Sequence, residues 1–498
     1  MLKSCMSYLC GVSRQQMMLL PESVEDYVGP ENPVRVIDAF VEGLDLGALG
    51  FEVKAEQAAG APPYDPKALL KLYIYGYLNR IRSSRELEKA TRRNLEVIWL
   101  LGRLTPDHWT INSFRRTHRK HFKEVFRQFN LVCGSLGLFG AELVAIDGTF
   151  LKAVNSPQRN FTQAKVKRVI EEIDRRTEAY LKELDAAEPE ASGQSLGAAG
   201  GDRDKEAAHI QSQLAALEQK RRECAALLEE LSKEPGAQLS LTDPDSRMLR
   251  KNSECVVGYN AQIAVDAAHH LIAAQEVTCE PNDSALLAPM AAAASEALGV
   301  EKITVVVDTG YYSIEQIKRC AEQGVEAYVP APRTREAGEG QYPNECFHYD
   351  AARDLYICPQ GGELTRHSDT VKNGGRYHAY YNLGACRDCP VRERCTRGAY
   401  RKLTVHEHQK VIDAARTRLR ERPQMMAQRR ALAEHPFGTI KFWLGYRAFL
   451  TKGLEMVRAE FSLTCLAYNL RRALNVLGVG RLLAALGATA PLGAPLAA

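Results

Sequence analysis

Three acidic residues, far apart in the chain, have the types and settings that metal-assisted chemistry needs. Asp147 follows the apolar run Leu143 to Ile146 in LVAIDGTF, and four such residues before a Gly-Thr turn predict a short buried strand with the acid at its mouth. The same device recurs where Ile303, Val305, Val306 and Val307 lead into Asp308, Thr309 and Gly310. Taken singly, each aspartate reads equally well as a strand-end cap. Two at the ends of neighbouring strands would make a hard-oxygen cage for Mg²⁺ or Mn²⁺. Glu434 is the third acid, in RRALAEHPFGTIK, with Arg430 four residues before it and Lys441 seven after. A helix places these three on one face, and Pro436 predicts a kink just past the glutamate.

A second donor set is sulfur. Cys358 lies in YICPQGG, and Cys386, Cys389 and Cys395 lie in CRDCPVRERCT. A C-x₂-C pair joined by two more cysteines in short loops suits a closed, structural tetrahedral zinc site. Cys346, His348, His367 and His378 are substitutes for any one ligand, and unligated thiols are the plainer alternative. Thirteen cysteines without even spacing do not read as a disulfide framework, which favours a reducing cytoplasm.

Overall charge says little. The chain is 45% hydrophobic and 25% charged, with a net charge of +4, too small to announce a nucleic-acid partner. Between Tyr64 and Asn130, however, 15 Lys and Arg face six Asp and Glu, a local balance of +9 that would attract phosphate. In this stretch a helix capped at Ser83 or Ser84, a break at Thr105 to Asp107, and a basic helix capped at Thr110 form a plausible helix-turn-helix. Arg80, Arg82, Arg115, Arg116, Arg119 and Lys120 are its candidate DNA contacts; a solvated basic face is the rival reading. No run of about 18 apolar residues suggests a membrane span.

These residues must be positioned by a mixture of helices and strands. Residues 1–140 read as helical, with apolar stripes at Val34, Ile37, Phe40 and Val41 and at Leu69, Leu70, Tyr73, Ile74 and Tyr77. Two runs spaced by three and four, Val166 to Leu184 and Ile210 to Leu231, predict an antiparallel helical hairpin over 163–235 with a flexible tip at Glu188 to Asp204. GYNAQIAVDAAHHLIAAQEVT predicts two strands around a turn at Ala267 to His270. A helix from Ser284 to Ala297, the second acid strand, a helix from Ser313 to Glu322 and a strand in EAYVPAP follow. Residues 333–424 form a Cys-rich insertion, helices run from Gly445 to Asn475, and 478–498 reads as a flexible tail. Tyr311 or Tyr312 is placed to stack on a displaced base.

The spacing Arg430, Glu434, Lys441, with wording such as MLLPESVEDYV, PPYDPKALLKLYIYGYLNRIRSSRELE, GYNAQIAVDA and EHPFGTIK, resembles the DDE transposases of bacterial insertion sequences, in the group with a Tyr-Arg-Glu-Lys signature. The signature's tyrosine is absent, since Ala427 stands at its position. The resemblance spans roughly Leu19 to Leu477. It implies an RNase H-like mixed sheet with flanking helices over 141–155, 253–332 and 425–477, preceded by an all-α DNA-binding or dimerisation domain; periodicity alone supports a mixed α/β domain. It also implies two Mg²⁺ or Mn²⁺ ions held by Asp147, Asp308 and Glu434, with Arg430 and Lys441 clamping phosphate. The implied activity is cleavage and strand transfer at terminal inverted repeats, by a homo-oligomer acting on double-stranded DNA and target DNA in the bacterial cytoplasm. A metal-dependent nuclease without strand transfer, a retired DNA-binding derivative and a non-catalytic coiled-coil and zinc scaffold are the competing readings.

Overall fold

The computed structural model describes residues 23–52, 62–187, 200–233, 238–251, 254–332, 342–372 and 375–488. They fall into two compact units. The first comprises residues 1–132 and 473–498. Its helix α1 (Val34–Glu42) buries Val34, Val36, Ile37, Phe40 and Val41, and α2 (Pro66–Leu78) starts with proline behind Asp65, whose side chain accepts from the Lys67 amide. Helices α3 (Ser84–Arg93), α4 (Leu95–Leu100) and α5 (His108–Thr117) follow. The helix expected to begin at Thr110 starts earlier, because the Asp107 carboxylate accepts from the Thr110 amide at 2.7 Å and is the cap. The extra helix α4 lies between α3 and α5, so the break is longer than the tight turn expected. α6 (Phe122–Ser135) leads into the second unit.

That unit, residues 133–472, is mixed α/β. β1 (Leu143–Lys152) precedes a short ribbon, β2 (Asn160–Thr162), from which α7 (Gln163–Ala187) runs out and α8 (Gly200–Ser232) runs back to β3 (Gln238–Ser240). The predicted hairpin is therefore present, zipped by Val166, Ile173, Cys224 and Leu231 and by an Arg221–Asp174 ion pair at 2.7 Å; most of its expected tip lies outside the described residues. β4 (Arg247–Lys251), β5 (Glu254–Asp266) and β6 (Ile272–Thr278) come next, then α9 (Leu287–Leu298), β7 (Ile303–Val306), α10 (Ile314–Glu322) and β8 (Val325–Tyr328).

The central sheet runs β4-β5-β1-β7-β8, with β6 also paired to β5. β1 is antiparallel to β5 and parallel to β7, and β7 is parallel to β8. Strand alternation splits its core into two layers. Val144, Ile146, Val305 and Val307 pack towards α9 and α10, whereas Ala145 and Val306 pack under Met425, Leu432 and Ala433.

The cysteine-bearing stretch expected to be an insertion forms a five-stranded antiparallel meander in sequence order: β9 (His348–Asp350), β10 (Leu355–Ile357), β11 (Glu363–Lys372), β12 (Gly375–Tyr381) and β13 (Lys402–His406), with α11 (Leu383–Arg387) between the last two. α12 (Gln409–Glu421), α13 (Gln424–Gly438) and α14 (Leu454–Ala488) complete the chain. Two expectations change here. α13 runs through Pro436 without ending and passes into a π-helical turn at Thr439–Trp443, so the irregularity sits one turn beyond the proline. The tail expected from Gly478 continues as helix to Ala488 after a backbone break at Gly478 (φ 76°, ψ 169°), because Val479, Leu482 and Leu486 recur at helical spacing and are buried; residues 489–498 lie outside the described residues.

Candidate active site

Parallel pairing of β1 with β7 ends at Ala145 beside Val306, and two residues further along the chain stand Asp147 and Asp308. β1 does not stop at the expected Gly-Thr turn: Asp147 is the fifth of its ten residues and is still paired with Ile263 of β5, whereas Asp308 lies two residues past the end of β7. Both side chains lie on the α13 side of the sheet, the side of Ala145 and Val306. Asp308 also acts locally, since its Oδ1 accepts from the Gly310 amide at 2.8 Å and caps a short 3₁₀ turn. The cap and the second acid of a pair are the same residue. Between them stands Arg429 of α13. Its Nη2 donates to Asp147 Oδ1 at 2.8 Å and lies 3.5 Å from Asp308 Oδ2.

The cation that meets the acids is thus the neighbour of the one read from spacing. Arg430 and Glu434 are exposed on α13, four residues apart on one flank. The helix phase is fixed by Met425, Leu432, Ala433, Pro436 and Phe437, which are buried and turn position 429 towards β1. Among the described residues no three His, Cys, Asp or Glu side chains gather at metal-ligand spacing, so the structure assembles two of the three expected acids. Lys441 does arrive: from the π-helical turn its Nζ donates to the hydroxyl of Thr149. Thr149 lies two residues beyond Asp147 on the same face of β1.

Behind the acids, on the α9 side, lies a polar network that sequence reading passed over. Asn260 and Gln262 of β5, both fully buried, each donate to Asp283 Oδ1 at 2.7 Å. The Tyr311 hydroxyl donates to Gln262 Oε1. Burial, and then the carboxylates of Asp283, Asp147 and Asp308, raise the Tyr311 phenol well above its ordinary value, so it stays a donor. Tyr311 therefore packs inside, with none of its side chain exposed to a base, and Tyr312 packs partly against the same core. The available signal was two polar residues at alternate positions in an otherwise apolar strand.

At the other end of β6, α14 grips the β5–β6 turn. Asn469 bonds both the amide and the carbonyl of Ile272, at 2.9 and 2.8 Å. The Tyr468 hydroxyl donates to the His270 carbonyl, and Arg472 to that of His269.

The four cysteines Cys358, Cys386, Cys389 and Cys395 line one cavity of the meander. The Gly362 amide donates to Cys358 Sγ at 3.2 Å. Burial raises the Cys395 thiol; Arg401 opposes this and the other three sulfurs reinforce it. Two of the substitute histidines are engaged elsewhere: His367 stacks on Tyr381 at 3.9 Å, and His378 pairs with Asp369 at 2.9 Å.

In the first unit, Arg80, Arg116 and Lys120 are exposed and Arg82 and Arg119 partly so. Arg115 is a correction. It is buried, with its guanidinium 5.6 Å from the Tyr73 ring centre, because it falls on the face of α5 that carries Ile111 and Phe114.

Two carboxylates sharing a guanidinium, with an ammonium held on Thr149 two residues along β1, have the chemistry to handle phosphoryl groups. Two family models match parts of the chain: residues 357–474, which hold Arg429, Glu434 and Lys441 but neither aspartate, match the transposase DDE domain, and residues 22–117 match a transposase domain (DUF772). The chain is a DDE transposase, consistent with those of insertion sequences. An electron cryo-microscopy structure of the piggyBac transposase synaptic complex with hairpin DNA is similar at 8% identity and a TM-score of 0.32, over 92% of this chain and 79% of that one. Among curated proteins none matches. No helix of the described residues is long and apolar enough to cross a membrane.

Proposed function

We propose that this transposase cuts DNA at the ends of its element and joins the freed 3′ ends to target DNA at Asp147 and Asp308, where β1 and β7 part. The observation that carries this reading is the convergence of Asp147 and Asp308 on one cationic nitrogen. The sheet supports an RNase H-like core: three antiparallel strands (β6, β5, β1) followed by two parallel ones (β7, β8), with Asp147 midway along β1 and Asp308 just past β7, both two residues beyond the last β1–β7 pair.

Two hard carboxylates facing one cation suit Mg²⁺ or Mn²⁺. Asp147 and Asp308 would hold the ions, with Glu434 as third donor from the flank of α13. Such ions, when bound, activate water or a DNA 3′-hydroxyl and stabilise the leaving 3′-oxygen. Lys441, steadied by Thr149, offers a point charge to a non-bridging phosphate oxygen, and exposed Arg430 offers a bidentate clamp. Arg80, Arg82, Arg116, Arg119 and Lys120 hold the phosphates of double-stranded DNA, terminal repeats included. Cys358, Cys386, Cys389 and Cys395, which line one cavity but do not stand at ligand spacing, would draw together around one structural Zn²⁺. All eleven described cysteines are free, which suits the bacterial cytoplasm.

The test is a labelled element end and a target plasmid in Mg²⁺. Asp147→Ala, Asp308→Ala and Glu434→Ala each abolish cleavage and strand transfer while binding of the ends stays within about twofold, since binding rests mainly on phosphate contacts. A variant that cuts at the wild-type rate removes its residue from the site.

A further inference from the structure

We infer that Arg429 is the internal counter-ion of the acid pair: it keeps Asp147 and Asp308 together before metal arrives, and an incoming divalent cation must displace it. The inference rests on the reading of these aspartates as metal ligands, and concerns a residue outside the Arg430–Glu434–Lys441 spacing.

Three observations support it. Oxygens from both aspartates lie within 3.5 Å of a single nitrogen, Nη2 of Arg429, so the guanidinium takes the place between the carboxylates that a shared cation would need. The pair is also partly shielded, with side-chain exposures of 16% for Arg429 and Asp147 and 37% for Asp308. Two carboxylates this close, half out of water, repel unless a positive charge stands between them. Finally, the guanidinium has little else to hold it. Its buried Nε has no hydrogen-bond partner among the described residues, and its ion pairs are to the two aspartates. A side chain fixed only by the groups it neutralises yields to a cation with more charge. Arg is suited to the exchange, being weakly hydrated and permanently charged.

The consequence is competition. With Arg429 in place, a divalent ion must lose part of its binding energy to eject the guanidinium; without it, the aspartates are free and closer to a preformed ligand pair. Removing one competing charge a few ångströms away therefore tightens metal binding by about tenfold or more.

The experiment is calorimetric titration of the metal-stripped full chain with Mn²⁺, with no DNA present, for wild type, Arg429→Gln, Arg429→Lys, Asp147→Asn and the Arg429→Gln/Asp147→Asn double variant. The expected result is tighter Mn²⁺ binding by Arg429→Gln than by wild type, Arg429→Lys between the two, and loss of that binding wherever Asp147→Asn is present. Melting adds a second readout: Arg429→Gln melts lower than wild type in chelator and gains more from Mn²⁺. If Arg429→Gln and Arg429→Lys bind Mn²⁺ as wild type does, and Asp147→Asn still abolishes binding, the counter-ion role is overturned and the acid pair stands. If Asp147→Asn leaves Mn²⁺ affinity unchanged, the acid pair itself is not the metal site, and the inference falls with it.

Discussion

At the scale of single residues, the two aspartates depend on what stands behind them. A Cβ added at Gly148 would come within 2.9 Å of Asp283 Oδ1 and closer still to Gln262 Nε2. Neither can retreat easily, because Gln262 is fully buried and bonded to Asn260, Asp283 and Tyr311. Gly148→Ala therefore overpacks the network directly beside Asp147, and denaturant unfolding should show a loss of about 1–3 kcal/mol. Unchanged stability would mean that the network is looser than its distances imply. This scale was also where the chain was most unevenly legible. The acids stood out because an apolar run followed by an acid and a glycine marks a buried strand that carries a carboxylate, although β1 runs on through Gly148 to Lys152 instead of turning there. Arg429 did not: RR offers two adjacent guanidiniums 100° apart on a helix, and only the burial of Leu432, Ala433 and Pro436 decides which of them faces β1.

At the scale of elements, legibility followed periodicity. The α7–α8 hairpin announced itself because its seam recurs every three or four residues and buries Val166, Ile173, Cys224 and Leu231. The meander did not, since β11 is exposed at nine of its ten positions and so lacks the alternation that marks a half-buried strand. Its small core is Phe347, Leu364, Tyr380 and Leu403, with Cys358 and Cys395 packed against it. Even with Tyr342, Tyr349, Tyr356 and Val405 packed against it, that core is modest for five strands, so a zinc ion held by the four thiols would have a structural role. The purified chain should contain about one zinc ion, the usual stoichiometry of a closed four-thiolate site. Cys389→Ser should lose that ion in a colorimetric release assay and open the meander to proteolysis sooner than the central sheet. A wild-type chain purified without zinc, and indifferent to chelator, would leave the thiols as ordinary packing groups.

At the scale of the whole molecule, the described residues present one Asp147–Asp308 pair per chain, whereas moving a DNA segment requires chemistry at both of its ends. Two copies brought together by closed symmetry supply two such sites with no further sequence. If each end is cut by a different copy within one assembly, an inactive partner spoils the joint product even when the other copy is intact. Asp147→Ala suits this test because the substitution falls in the α/β unit, while the basic stretch Tyr64 to Asn130 falls in the helical one, so mixed assemblies should load DNA normally. In an equal mixture of wild type and Asp147→Ala, products cut at both ends should fall to about a quarter of the wild-type yield if two catalytic copies are required, against about a half if copies act singly. Counting double-end and single-end products on one linear donor separates the cases: a quarter, with single-end products accumulating, fits paired action, and a half without such products would show that one chain serves both ends in turn.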